Sequence, residues 1–158
     1  MTDDPQAKRA EALAFLKAHK AGVLASVSPE GKPHASAIYY VADDDFNIYF
    51  LTLFGSRKFA AMQANPSVAF VVGTLDVPQT LQLEGVVVEM RNSQDWSAHV
   101  ADLVKVLTSN SVYYAPITKL DPSEVVLMWI QPKWLRWADY ASPESGSKNV
   151  LTEIPLAQ

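Results

Sequence analysis

The spacing of hydrophobic positions changes character several times along this chain. From Gln6 to Lys20, Ala10, Leu13, Ala14, Phe15 and Leu16 fall on or beside one helical stripe. Lys8, Arg9, Glu11 and Lys17 surround it, which predicts an amphipathic helix. Asp3 or Asp4 before Pro5 supplies a cap with proline early in the first turn, and His19-Lys20 places positive charge near the last carbonyls. After Gly22 the apolar runs become short. Val23 to Val27, Pro33 to Val41 and Phe46 to Leu53 read as strands, joined by Ser28-Pro29-Glu30-Gly31-Lys32 and by Asp43-Asp44-Asp45 with Asn47. A short helix follows from Arg57 to Ala64, ended by Asn65-Pro66. Val68 to Val72 and Leu81 to Met90 return to strand texture, and Gly85 inside the second predicts a bulge, a bend or a close backbone approach. Asp95 to Leu107 carries Trp96, Val100, Leu103, Val104 and Leu107 at helical spacing. Val125 to Ile130 and Lys133 to Tyr140 are the last strands, split at Pro132. Apolar periodicity fades from Ala141, so residues 141–158 read as a loosely held tail after a single domain spanning 1–140.

This order lacks alternating βαβ units and predicts a mainly β fold, an antiparallel barrel with helices at its edges. A chain of 158 residues is one ordinary domain, and with 49% hydrophobic and 19% charged residues it has the composition of a folded one. The absence of cysteine excludes a disulfide scaffold, thiolate metal sites and a cysteine nucleophile, and it agrees with a reducing cytoplasm. No apolar run approaches the ~20 residues that span a bilayer, and the acidic start lacks a signal-peptide pattern. A net charge of −4 argues against a nucleic-acid-binding face. The expectation is a cytoplasmic protein with no membrane or nucleic-acid partner.

The chemistry concentrates at Gly55-Ser56-Arg57-Lys58. Ser56 is placed to cap the short helix, which makes Arg57 and Lys58 its first residues, where positive charge is normally disfavoured by ~0.3–1 kcal/mol. Free amides, a hydroxyl and two cations at one point suit an anion, most naturally a phosphate; the alternative is a solvated helix start that tolerates the mismatch. His19, His34 and His99 lie in different elements without metal-ligand spacing, and Asp43-Asp44-Asp45 lacks the spaced ligands of a calcium loop. Tyr39, Tyr40, Phe50, Trp129, Trp134 and Trp137 suit either barrel packing or stacking on a flat cofactor.

The run Ile48-Tyr49-Phe50-Leu51-Thr52-Leu53-Phe54-Gly55-Ser56-Arg57-Lys58, followed by Met62, Asn65-Pro66 and Val68-Ala69-Phe70, resembles the pyridoxamine 5'-phosphate oxidase-like family of FMN-binding split β-barrels. The Pro29 to His34 turn and Leu83-Glu84-Gly85 extend the resemblance over Leu13 to Met90, with Val125 to Tyr140 in outline. It implies that Ser56, Arg57 and Lys58 hold the flavin phosphate with Thr52 and Leu51 beside them. It also implies that the isoalloxazine ring runs along Ser36, Ala37, Ile38 and Tyr39. The strand before Glu84-Gly85 supplies a side chain from Thr80, Gln79 or Gln82, and Trp137 or Trp134 approaches the ring. His34 begins the flavin-side strand.

Two departures separate this chain from the vitamin B6 oxidases themselves. Ser36 stands where they open the flavin strand with arginine, and their substrate-phosphate clamp has no counterpart between Arg91 and Leu120. The resemblance therefore implies a homodimer with FMN at the interface and a flavin-dependent oxidoreductase working with a small-molecule electron donor or acceptor. The alternatives are a non-catalytic flavin-binding protein of stress-associated type, or a deazaflavin or haem binder on the same fold.

Overall fold

In the computed structural model, which describes residues 4–73, 78–90, 96–109, 121–141 and 150–157, helix α1 spans Pro5–Ala18. The Asp4 carboxylate caps it by accepting from the Gln6 amide at 3.0 Å, and Ala12, Phe15 and Leu16 are buried. Strands β1 (Ala21–Val27) and β2 (Pro33–Tyr39) form a hairpin, and β3 (Val41–Ala42) and β4 (Ile48–Leu53) form the next. The expected strand from Pro33 to Val41 is thus two strands with a break at Tyr40. Its amide donates to the Lys20 carbonyl at 3.0 Å, and its buried hydroxyl donates to the Leu16 carbonyl at 2.6 Å. Burial pushes the Tyr40 phenol far above its ordinary range, so it stays protonated and tied to α1.

The strand expected from Phe46 begins instead at Ile48, because Phe46 sits in the hairpin turn with a left-handed φ of 63°. Its ring is fully buried beneath Arg9, whose guanidinium lies 5.0 Å from the ring centroid. Arg9 also donates to the Asp44 carbonyl and Lys17 pairs with the Asp44 carboxylate, so α1 is clamped over this turn. Within the turn the Asp43 carboxylate accepts from the Asp45 and Asn47 amides, the Asn47 side chain and the Tyr49 hydroxyl.

Helix α2 (Arg57–Ala64) leads into β5 (Ser67–Val72) and β6 (Gln79–Glu89), followed by α3 (Trp96–Thr108), a 3-10 turn at Pro122–Glu124, β7 (Val125–Asp139) and β8 (Leu151–Glu153). Asp95, the expected first residue of α3, lies outside the described residues. All pairings are antiparallel, in the order β2-β1-β5-β6-β7-β4-β3, with β8 added to β7. The sheet curls so that the hairpin leaving its first edge re-enters at its last, which makes a split β-barrel. Ile38, Tyr40, Ile48, Phe50, Phe70, Leu81, Leu83, Ile130 and Leu135 fill it. Helix α3 covers a second, outer cluster of Tyr49, Leu103 and Leu127, so β4 is buried on both faces.

Two expectations need correction. The final strands are not split at Pro132: β7 runs unbroken over 15 residues. Pro132 lies opposite Gly85 where the β6–β7 register shifts, and a missing amide costs nothing at a point where the ladder is already interrupted. Gly85 is needed at that shift, since a Cβ there would lie 2.4 Å from the Gln131 carbonyl oxygen. The tail is also not loose throughout. Leu151–Glu153 pair with Arg136–Ala138 and Ile154 is buried in the main core, while residues 142–149 lie outside the described residues.

Candidate functional site

The β4–α2 corner is built by local rules. After Leu53 the chain turns sharply, the Ser56 amide donating to the Leu53 carbonyl at 3.1 Å and the Phe54 amide to Glu124 at 2.8 Å. Ser56 keeps an extended backbone and its Oγ accepts from the Phe59 amide at 3.1 Å, so it is a true N-cap. The other first-turn amides have no acceptor within their own helix. Thr52, buried on the inner face of β4, brings its Oγ1 to 3.3 Å from the Ser56 hydroxyl. Arg57 is exposed and Lys58 half-buried; the first turn holds no acidic residue, and among the described residues neither cation forms an ion pair. Burial draws the Lys58 ammonium below its ordinary pKa, the mark of a cation held without a counter-charge. Ser56, Arg57, Lys58 and Thr52 therefore meet as expected, and their hydroxyls, amides and cations form a donor set fit for a phosphate.

A prediction follows for the protein without ligand. Its Lys58 penalty is full at every pH below the lowered pKa and is relieved as pH rises through it towards 10.5, the ordinary value. Lys58→Met is thus expected to raise stability at pH 7, by less than about 1 kcal/mol because solvent screens a half-buried group. The gap between variant and parent in urea denaturation should close above pH ~10.

The β1–β2 turn follows β1, the strand against which α2 packs. It is closed by the Ser28 amide on the Lys32 carbonyl at 2.8 Å and by the Lys32 amide on the Ser28 hydroxyl at 3.1 Å. Glu30 at its tip has its carboxyl held below the usual range, first by its own backbone amide and the Ser28 hydroxyl. Burial opposes this, and the charges of His34 and Arg57 add the smallest contributions in the lowering direction. Ser36 and His34 share the inner face of β2 with buried Ile38, whereas Ala37 faces outward and Tyr39 is half-buried. Since β2 ends the sheet path, one of its sides is an edge of the sheet. Leu51 does not face the corner. Its side chain packs outward in the α3 cluster while its neighbour Thr52 points in.

The remaining expected residues lie elsewhere. Register aligns Ala37, Val23, Val71, Gln82 and Arg136 in one outward row, and Ala35, Ala25, Ala69, Glu84 and Trp134 in the next. A shallow groove of about 200 Å³ crosses these rows. Gln82 accepts from Arg136 Nε at 3.2 Å and Nη2 at 2.5 Å, and the guanidinium sits 5.3 Å from the Trp134 ring. Gln82 stands three strands from Ala37, about 14 Å at normal strand spacing, so Thr80 and Gln82 do not meet the β2 edge within one protomer. Gln79 is bonded instead to Asp139. Trp137, expected at the cofactor ring, is a core residue: only 2% exposed, it packs edge-on against Phe15 at 5.0 Å, and its indole N–H has no partner among the described residues. Alternation along β7 turns Trp137 inward with Leu135 and leaves Trp134 and Arg136 outside. The exposed residues Val23, Ala25 and Ala69 carry no signal of their own in the sequence, because small apolar residues on an outward face look the same as those on a buried one.

His19 and His99 serve local structure. His19 Nδ1 lies 2.8 Å from the Phe15 carbonyl, and His99 stacks on Tyr49 at 3.8 Å. Among the described residues no group of three or more acidic or histidine side chains is placed to hold a metal, and no helix is long and apolar enough to cross a membrane.

This curled antiparallel sheet with a cationic, capped helix start at its β4–α2 corner defines a split-barrel protein. The family model described as pyridoxamine 5'-phosphate oxidase matches residues 9–139, and the chain belongs to that family. No curated protein sequence matches. Among solved structures, the chain is similar to an FAD-binding protein from Mesorhizobium loti, at 21% identity over 80% of this chain and 90% of that one, with a TM-score of 0.63. It is similar to a protein named F420 reductase at 23% identity, over 77% of this chain and 93% of the other, with a TM-score of 0.60. A haem-binding protein from Mycobacterium smegmatis matches at 16% identity and a TM-score of 0.67; 97% of this chain is covered but only 58% of that one. At these identities the likeness establishes the fold.

Proposed function

We propose that the protein is a cytoplasmic, homodimeric FMN-binding oxidoreductase acting with a small-molecule electron donor or acceptor. The observation that carries the reading is the β4–α2 corner, where Thr52, the Ser56 cap and two cations without an ion pair among the described residues, one of them half-buried, converge without an acidic residue in the turn. A compact phosphate monoester suits so small a donor cluster better than haem propionates or a long polyanionic tail. In this reading Ser56, Arg57, Lys58 and Thr52 hold the phosphate and the β2 edge at Ser36, Ala37, Ile38 and Tyr39 lies along the ring. The flavin, when bound, supplies the hydride and electron transfer; the chain orients it and offsets its charge.

The homodimer is supported by the separation of the expected residues into two groups. Gln82, Thr80 and Trp134 cannot join the corner within one chain, whereas a two-fold partner laying its outward rows near β2 brings the groups together twice. The small side chains Ala25, Ala35, Ala37 and Ala69 permit close approach of such a face.

The test is an absorption spectrum of the purified protein before and after FMN addition, with a sizing run. Expected are flavin bands, uptake of one FMN per chain and elution at twice the 17.4 kDa chain mass. A Soret band, a retained deazaflavin, or a monomer indifferent to FMN overturns the reading.

A further inference from the structure

The groove on the outward face of the sheet crosses β1, β5, β6 and β7 and has two unlike halves. Over β1 and β5 its floor is Val23, Ala25, Ala69 and Val71, apolar side chains too small to cover the sheet, with Val23 41% exposed. Over β6 and β7 it is lined by Gln82 and Trp134, and these two hold Arg136 between them. Arg136 Nε and Nη2 donate to the Gln82 side-chain oxygen at 3.2 and 2.5 Å, and the guanidinium carbon lies 5.3 Å from the centroid of the half-buried Trp134 ring. A guanidinium carries donors only, so the Gln82 atom facing it is the oxygen, and two bonds fill that oxygen's lone pairs. What this end of the groove still offers is N–H groups, from Gln82 Nε2 and the rest of the Arg136 fork, with no partner among the described residues. Arg136 also has no ion pair there. Glu84 lines the groove opposite Trp134 and Glu153 stands opposite Arg136 on β8, yet both are exposed and neither pairs with it.

We infer that this groove is a binding site for a small flat molecule with an apolar body and a carboxylate at one end. The body lies on the floor of Val23, Ala25 and Ala69, and the carboxylate meets the donors of Arg136 and Gln82. Arg136 suits that end because the Gln82 oxygen and the Trp134 face already fix it on two sides, so little freedom is lost on binding. Glu84 sets the direction, since it repels a carboxylate from its own row and leaves the Gln82–Arg136 row favoured. A volume of about 200 Å³, against ~300–1,000 Å³ for drug-sized sites, limits the occupant to one or two rings. In the proposed dimer this face turns towards the partner's β2, so the groove and the ring site adjoin across the interface. Only the occupant's role as the small-molecule electron donor or acceptor rests on the oxidoreductase reading.

The probe is 2-naphthoate, with the neutral 2-naphthamide of the same shape as control. Each is titrated into the purified protein while NMR spectra follow the Gln82 side-chain amide and the Trp134 indole, the latter assigned with Trp134→Phe. The expected result is that naphthoate shifts both signals and binds at least about tenfold more tightly than naphthamide at ~20 mM salt, the difference shrinking above ~0.5 M. In Arg136→Met, which keeps an apolar stem against Trp134, the two probes should bind alike, with naphthamide affinity within about twofold of the parent's. No shift at Gln82 and Trp134, equal binding of both probes by the parent, or an undiminished preference in Arg136→Met overturns the inference. The parent alone decides the first two, so a variant that fails to fold leaves the answer intact. A parallel FMN titration separates the groove from the cofactor. If naphthoate binds with its charge preference and the protein ignores FMN, the groove stands and the cofactor reading fails. If FMN binds and naphthoate does not, the groove alone fails. Displacement of naphthoate by FMN gives the groove to the flavin itself and overturns the separate site.

Discussion

Replacing Arg57 and Lys58 together by alanine is expected to weaken FMN binding by on the order of a hundredfold to a thousandfold while leaving a cooperative, fully folded protein. Each side chain is placed for charge-assisted contacts to a phosphate, of the kind worth about 1.5–3 kcal/mol apiece, and the two losses add. Neither residue supports the fold: Arg57 is exposed, and Lys58 is held at some cost while the corner is empty. The Ser56 cap and the buried Phe59 and Met62 keep α2 in place without them. Fluorescence titration gives the affinity, and circular dichroism with urea unfolding reports the fold. Riboflavin serves as control, because a ligand without phosphate should lose little. If the double variant binds FMN as the parent does, the phosphate is not at this corner.

The largest effect on stability is expected from Gly85→Ala, a loss of about 3 kcal/mol in urea unfolding. The added methyl would meet the Gln131 carbonyl oxygen at 2.4 Å and Ile130 Cγ2 at 2.9 Å. The carbonyl cannot yield without moving β7 at the point where Pro132 interrupts the ladder. Gly55→Ala is the matched control, because its methyl would meet nothing within 4 Å, and its stability should lie within about 0.5 kcal/mol of the parent. Equal stability of the two variants would mean that the β6–β7 shift has room the packing does not show.

Much of the fold was legible because it depends on short-range rules. The Arg57 to Ala64 helix matches its reading residue for residue: Ser56 supplies a cap and Asn65-Pro66 a stop, both encoded within the segment itself. The meeting of Thr52, Ser56, Arg57 and Lys58 at one corner was legible for the same reason, since all four are within seven residues. Where readings failed, a distant partner had decided. Pro132 looked like a strand break, yet Gly85, far away in sequence, absorbs the irregularity and lets β7 continue. The segment after Ala141 looked loose because three residues carry too little pattern to announce a strand. The exposed edge of β7 gives Leu151–Glu153 its ladder and Ile154 its place in the core.

The sequence by itself determined the order of helices and strands along most of the chain, which family the chain resembles, and the cationic, hydroxyl-rich corner, because capping, turn chemistry and hydrophobic period act over a few residues. Only the tertiary structure decided that Trp137 faces the core and Trp134 the surface, and that Gln82 stands three strands from β2. Which face of a strand is buried, and which turns come together, follow from the register of long-range sheet pairing. In a barrel that register is fixed only when the whole sheet closes.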